Sequence, residues 1–159
     1  MTYLLDINVL LALWYERHVH FARVERWIKH LETIETRHPS FATCAIVELG
    51  FIRIASGNSG MAKNLTAALT DLRLLRKALG VRFVSDELNG TQLPNWVTRS
   101  KQTTDGHLLE LASRHGMRFA TLDSGIPGAL LIPDYDDLAC ADPPSKIQES
   151  AAPAYGAAA

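Results

Sequence analysis

Four acidic residues stand where the local pattern predicts burial or the end of a strand: Asp6 in LLDIN, Glu48 in AIVELGFIR, Asp105 in TTDGH and Asp123 in TLDSG. Each is set in apolar sequence of its own. A carboxylate taken out of water is costly unless paired, so four of them point to a place where they meet. At ~4 Å separation and an effective dielectric of ~20, each pair repels by about 4 kcal/mol. A divalent cation is the simplest offset. Carboxylate oxygens are hard donors, so Mg²⁺ or Mn²⁺ suits the set better than zinc.

Each acid also has a plainer explanation. An aspartate after a strand, as at position 6, often caps the following helix. Glu48 sits in a helix that is apolar nearly all round, and an ion pair with Arg53 or another arginine would account for it. Asp105 falls in the first turn of a helix, where the dipole favours an acid by ~0.3–1 kcal/mol. Asp123 can open an Asx-turn. What makes the four informative is their joint position at edges of one expected sheet. The histidines carry less. His18 and His20 flank a helix junction without a third ligand and read as surface residues. His107 reads as a helix-surface or core histidine rather than a general base. The stretch Ser56 to Gly60 lacks a P-loop lysine and reads as a turn.

The elements that must position these groups follow from periodicity. TYLLDI (2–7) is a buried strand, with Asn8 placed to cap the helix VLLALWYE. A second helix is expected over Phe21 to Glu35, a strand over Ser40 to Thr43 and a helix over Ala45 to Ala55. A long helix follows from Met61 to Leu79, closed by Gly80, and VRFV (81–84) is strand-like. Ser85 to Gln102 reads as loop with one short helix near Trp96. A helix starts near Thr104 and stops at Gly116, then RFAT (118–121) and ALLI (129–132) are strands. Strands alternating with helices imply a three-layer α/β/α sandwich with a mostly parallel central sheet, and such sheets bind ligands at the strands' carboxyl ends. Asp6 and Asp123 both follow strands, so both belong at that edge. Residues 1–132 form the expected domain, and the Pro/Ala-rich 133–159 lacks apolar periodicity and is expected to be a flexible tail.

With 159 residues the chain fits one domain. It has no apolar run of ~18 residues, which predicts no membrane span, and its start has no basic lead of the kind a signal peptide carries. Cys44 and Cys140 lack metal-ligand spacing and, without an export signal, are expected as reduced thiols in the cytoplasm. A net charge of −1 advertises no global affinity for nucleic acid, leaving local patches such as Arg73, Arg76 and Lys77, or Arg99 and Lys101.

Three segments carry a family likeness. LLDINVLLAL, CAIVELGFIR and TTDGHLLELASRHGMRFATLD resemble the PIN-domain family, and more narrowly VapC-type toxins of toxin–antitoxin pairs, over about Met1 to Ile132. The resemblance implies a small endoribonuclease acting on single-stranded or loop regions of RNA and leaving 5′-phosphate and 3′-hydroxyl ends. It maps the acidic set onto Asp6, Glu48, Asp105 and Asp123, with Asn8 and Thr121 as orienting neighbours. In that scheme Asp6, Asp105 and Asp123 coordinate Mg²⁺ or Mn²⁺, and Glu48 holds a metal-bound water or takes its proton. His107 matches a frequent histidine of the family's D-x-H-L segment. A homodimer and a cognate antitoxin, which often places a basic residue in the acidic pocket, are implied as well. One departure stands out. Where many relatives carry a further acid after the last aspartate, Gly125 and Ile126 stand here, so a second metal would bind weakly or only with substrate.

Other readings keep part of this pattern. An RNA-processing nuclease without an antitoxin would use the same site. An aspartyl-phosphate phosphatase with Asp6 as nucleophile usually wants an acid at position 8, where Asn8 cannot serve. A non-catalytic module could keep the acidic pocket for a basic peptide. The plainest alternative is an α/β domain whose acids are caps and ion pairs.

Overall fold

The structure, a computed structural model, describes residues 1–34, 38–57 and 60–135. Strand β1 (Thr2–Leu5) leads into helix α1 (Ile7–Trp14), and α2 (Phe21–Ile34) precedes β2 (Ser40–Thr43). Helices α3 (Ala45–Ala55) and α4 (Leu65–Leu79) precede β3 (Arg82–Phe83). A single 3₁₀ turn (Ser100–Gln102) runs into α5 (Thr103–Arg114), followed by β4 (Arg118–Thr121) and β5 (Leu130–Leu131). The architecture is a three-layer α/β/α sandwich. Its five-stranded sheet has the order β3-β2-β1-β4-β5, and every pairing is parallel.

Central strands of such a sheet are covered on both faces and need apolar residues at consecutive positions. Tyr3, Leu4 and Leu5 are accordingly all buried, as are Phe41, Ala42 and Thr43 of β2 and Phe119, Ala120 and Thr121 of β4. Trp27 of α2 packs edge-on against Tyr3 with ring centroids 5.4 Å apart and also meets Phe41. The Arg23 guanidinium donates to the Ile132 carbonyl, tying α2 to the end of β5.

Several boundaries differ from the sequence reading for local reasons. Asp6, rather than Asn8, caps α1, because its own carboxylate accepts the Ile7 N–H at 2.6 Å. Asn8 is exposed two residues further on, inside the helix. Helix α4 starts at Leu65 rather than Met61, since Asn64 takes an extended conformation and accepts the Ala67 N–H. Gly80 ends it in the left-handed conformation at φ 59°. The short helix expected near Trp96 is a turn, and helical structure begins only at Ser100, where the Gln102 side chain accepts the N–H groups of Thr98 and Arg99. Glu35, Cys140 and all of the expected tail beyond Tyr135 lie outside the described residues.

Connections run from β1 outward to β2 on one side, while β4 pairs with β1 on the other. The chain reverses its direction across the sheet at the β1/β4 boundary. In open parallel sheets that boundary leaves a crevice at the strands' carboxyl ends, where ligands bind.

Candidate active site

Asp6 and Thr121 emerge side by side at this crevice. The Asp6 N–H donates to the Ala120 carbonyl at 3.0 Å, which brings the end of β1 against the end of β4. Thr121 Oγ1 donates to Asp6 Oδ2 at 2.8 Å and accepts the Asp123 N–H at 3.0 Å. One buried hydroxyl therefore ties the first and last of the sequence-predicted aspartates to a common frame. Asp6 Oδ1 is held by the Ile7 N–H, so both of its oxygens have a fixed direction. Asp123 is exposed, and its Oδ1 accepts the Gly125 N–H at 2.7 Å, the Asx-turn that its sequence suggested. The cap and the turn are thus both present, and they orient the carboxylates without neutralising them.

Asp105 enters from the first turn of α5. Burial raises its carboxyl above the ordinary aspartate range, and the charges of Asp6 and Asp123 raise it further. Burial likewise raises Asp6, which the Thr121 hydroxyl and the Ile7 N–H partly counter, and Asp123 adds to the rise. The three aspartates therefore share one field although they come from three separate elements. Gly106 lets α5 approach. A Cβ there would lie 2.3 Å from Val97 Cγ2 and 3.3 Å from Pro94 Cδ, so the Pro94–Val97 loop rests directly on the helix beside Asp105.

Glu48 has a different neighbour. Its carboxyl is raised by burial and lowered by Arg76 of α4, whose Nη1 stands 3.2 Å from Glu48 Oε1. That oxygen is buried and makes no hydrogen bond among the described residues, so the pair is close in charge but not aligned. The bland explanation of Glu48, an ion pair with an arginine, holds with Arg76 rather than Arg53. Arg76 also lies over the Phe83 ring, 5.7 Å from its centroid.

Two arrangements at this edge go beyond the sequence reading. His107 Nε2 donates to Asp86 Oδ2 at 2.7 Å, linking α5 to the segment after β3. Asp86 lies in the loop three residues past the end of β3 rather than directly at a strand end, so the strand-end rule did not single it out. His18 and His20, expected as surface residues, are half-buried and line a cavity together with Asp123. His18 is pushed down by burial and by His20.

The donor set of Asp6, Asp105 and Asp123 suits a hard cation, being all oxygen and mutually repelling. Among the described residues, no three histidine, cysteine or acidic side chains draw close enough as they stand to grip one ion. The oxygen donors and their charge fit the cation.

Residues 3–128 match the profile of the PIN domain. Ribonuclease VapC38 of Mycobacterium tuberculosis (strain ATCC 25618 / H37Rv) is 35% identical over 127 residues, covering 77% of this chain and 86% of that protein. Ribonuclease VapC39 of the same strain is 33% identical over 132 residues, covering 79% and 91%. Ribonuclease VapC44, also of that strain, is 36% identical over 141 residues, covering 81% and 94%.

Proposed function

The chain belongs to the PIN-domain family, among the VapC-type ribonucleases, and from that premise we propose that it is a Mg²⁺- or Mn²⁺-dependent endoribonuclease acting as the toxin of a toxin–antitoxin pair. The observation that carries this reading is the shared field of Asp6, Asp105 and Asp123 at the topological switch point, with Thr121 fixing two of them. Asp6, Asp105 and Asp123 would hold the cation. When bound, it supplies positive charge against the phosphate and a more acidic water.

The chain's own groups do the rest. Thr121 fixes the direction of the Asp6 carboxylate, and Asn8, in the first turn of α1, offers an exposed amide. Glu48 would hold a metal-bound water or help take its proton; burial raises its carboxyl and Arg76 lowers it. Arg76, half-exposed and beside Glu48, would give the phosphodiester backbone a cation. The acidic crevice equally suits a basic side chain of an antitoxin, because a guanidinium makes strong paired bonds to carboxylates. A homodimer belongs to the same proposal.

A second reading, a non-catalytic acidic pocket for a basic peptide, is favoured by the incomplete convergence of the carboxylates. One assay separates the two. Labelled single-stranded and structured RNAs are incubated with the chain in Mg²⁺, in Mn²⁺ and in EDTA, beside Asp6→Asn. Cleavage that needs the cation and Asp6 and leaves 5′-phosphates supports the nuclease. Cleavage unaffected by EDTA would overturn the assigned mechanism, and a calorimetric titration without Mn²⁺ binding would favour the pocket.

A further inference from the structure

Beside Asp123 lies an open cavity of about 440 Å³ walled by Asn8, His18, His20, Leu122, Asp123 and Ser124. Its size falls within the ~300–1,000 Å³ range of small-molecule sites. The His18 imidazole is held in place. The backbone N–H of His20 donates to His18 Nδ1 at 3.2 Å, which occupies that nitrogen's lone pair and leaves Nε2 to carry the neutral ring's proton. The two ring centroids are 5.8 Å apart with planes at 48°, so the lining supplies two aromatic rings and an N–H donor. Among the described residues lining the cavity there is no lysine or arginine, and one wall is a carboxylate. An anion is therefore a poor occupant. A neutral planar group with hydrogen-bonding edges fits the wall chemistry much better.

We propose that this cavity is a nucleobase subsite: His18 and His20 stack on, and Asn8 hydrogen-bonds to, the nucleotide next to the scissile phosphate. The inference rests on the nuclease reading and deepens it, because a base held here places its phosphate over Asp123 and its neighbours. It assigns the α1–α2 connection a part in substrate positioning and in any preference for one base. Stacking on an aromatic ring tightens binding by about 5- to 150-fold per base.

The test uses the wild-type chain in EDTA, titrated with each of the four uncharged nucleosides and separately with inorganic phosphate, while the His18 and His20 ring protons are followed by NMR. At least one nucleoside should shift both signals saturably, and phosphate should not. His20→Ala and His20→Gln should both weaken that nucleoside by about 5-fold or more, since glutamine keeps a hydrogen-bonding edge but no ring. Signals that no nucleoside moves, an equal response to phosphate alone, or unchanged affinity in His20→Ala would each overturn the subsite. Failure here remains distinct from failure of the nuclease reading. Cation-dependent RNA cleavage with silent histidines removes only the subsite. Nucleoside binding by a chain that cuts no RNA removes the catalytic reading and leaves a nucleobase pocket.

Discussion

The hydroxyl of Thr121 donates to Asp6 Oδ2 at 2.8 Å while accepting the Asp123 N–H at 3.0 Å, so one buried side chain sets the geometry of two acids from opposite ends of the chain. Valine matches threonine in shape but offers neither bond. Thr121→Val should therefore leave a buried carboxylate oxygen and a backbone N–H short of partners, at a cost of about 1–3 kcal/mol. Urea denaturation would read that loss as a lower midpoint at unchanged slope. RNA cleavage should fall with it, whereas Thr121→Ser should retain most of both.

Asp105 gives the pH prediction. Its folded carboxyl is raised by burial and by Asp6 and Asp123, so the folded state binds its proton more tightly than the unfolded chain does. The stabilisation linked to that proton is complete below the ordinary value of 3.8 and is lost as pH rises through the raised folded value. At neutral pH without metal, the ionised group thus opposes folding. Helix-dipole stabilisation of ~0.3–1 kcal/mol works the other way, but the upward net shift says that it loses. Asp105→Asn in EDTA should accordingly melt higher than wild type at pH 7, with the gap closing in acid. Thermal melts across pH 3–8 check this (the range bracketing the transition), and a variant that melts lower throughout would refute the shared field.

Arg76 offers a second linkage with the opposite handle. It lowers a Glu48 carboxyl that burial raises. Arg76→Met should raise Glu48 further and destabilise the chain by about 1 kcal/mol at neutral pH, a modest figure because the arginine is half-exposed. The loss should shrink as pH falls and Glu48 takes up its proton. Carboxyl-detected NMR titration of Glu48 in both chains would show the shift directly.

Gly106 tests how Asp105 is positioned. A Cβ at this site would meet Val97 Cγ2 at 2.3 Å, so alanine must push the Pro94–Val97 loop away from α5. Alanine's helix propensity gives back about 1 kcal/mol, against ~1–3 kcal/mol for overpacking. Gly106→Ala should come out neutral to moderately destabilised in thermal melts. Its cleavage rate should fall further than its stability, because the displaced loop supports the helix turn that carries Asp105.

Much of this architecture was legible in the sequence because its signals are local. TYLL and RFAT are short apolar runs bounded by polar turns, and both are strands buried on both faces. The strand-end rule then put Asp6 and Asp123 at one edge, while the matched family pattern added Thr121. Glu48 was recognisable as an expensive charge, but its partner was not: Arg76 lies on another helix, and pairing between helices leaves no periodic trace. The Asp86–His107 bond depends on where a long loop lands, which composition does not record. His18 and His20, read as surface residues, are partly exposed, but they line the same cavity as Asp123, a proximity that spacing along the chain does not record. Asn8 was misplaced as a cap because Asp6 does that work with one oxygen while offering the other to Thr121.

The central claim, that three aspartates from three elements make one hydrolytic cation site, is tested most directly by the initial rate of single-stranded RNA cleavage in Mn²⁺ for wild type against Asp105→Asn. Asp105 shares no hydrogen bond with the Thr121 bridge among the described contacts, so its amide variant leaves that frame standing. The account predicts that the variant stays folded and loses cleavage by at least ~100-fold, the scale on which a group that orders transition-state charge is felt. A folded Asp105→Asn chain that cuts RNA at the wild-type rate would contradict it.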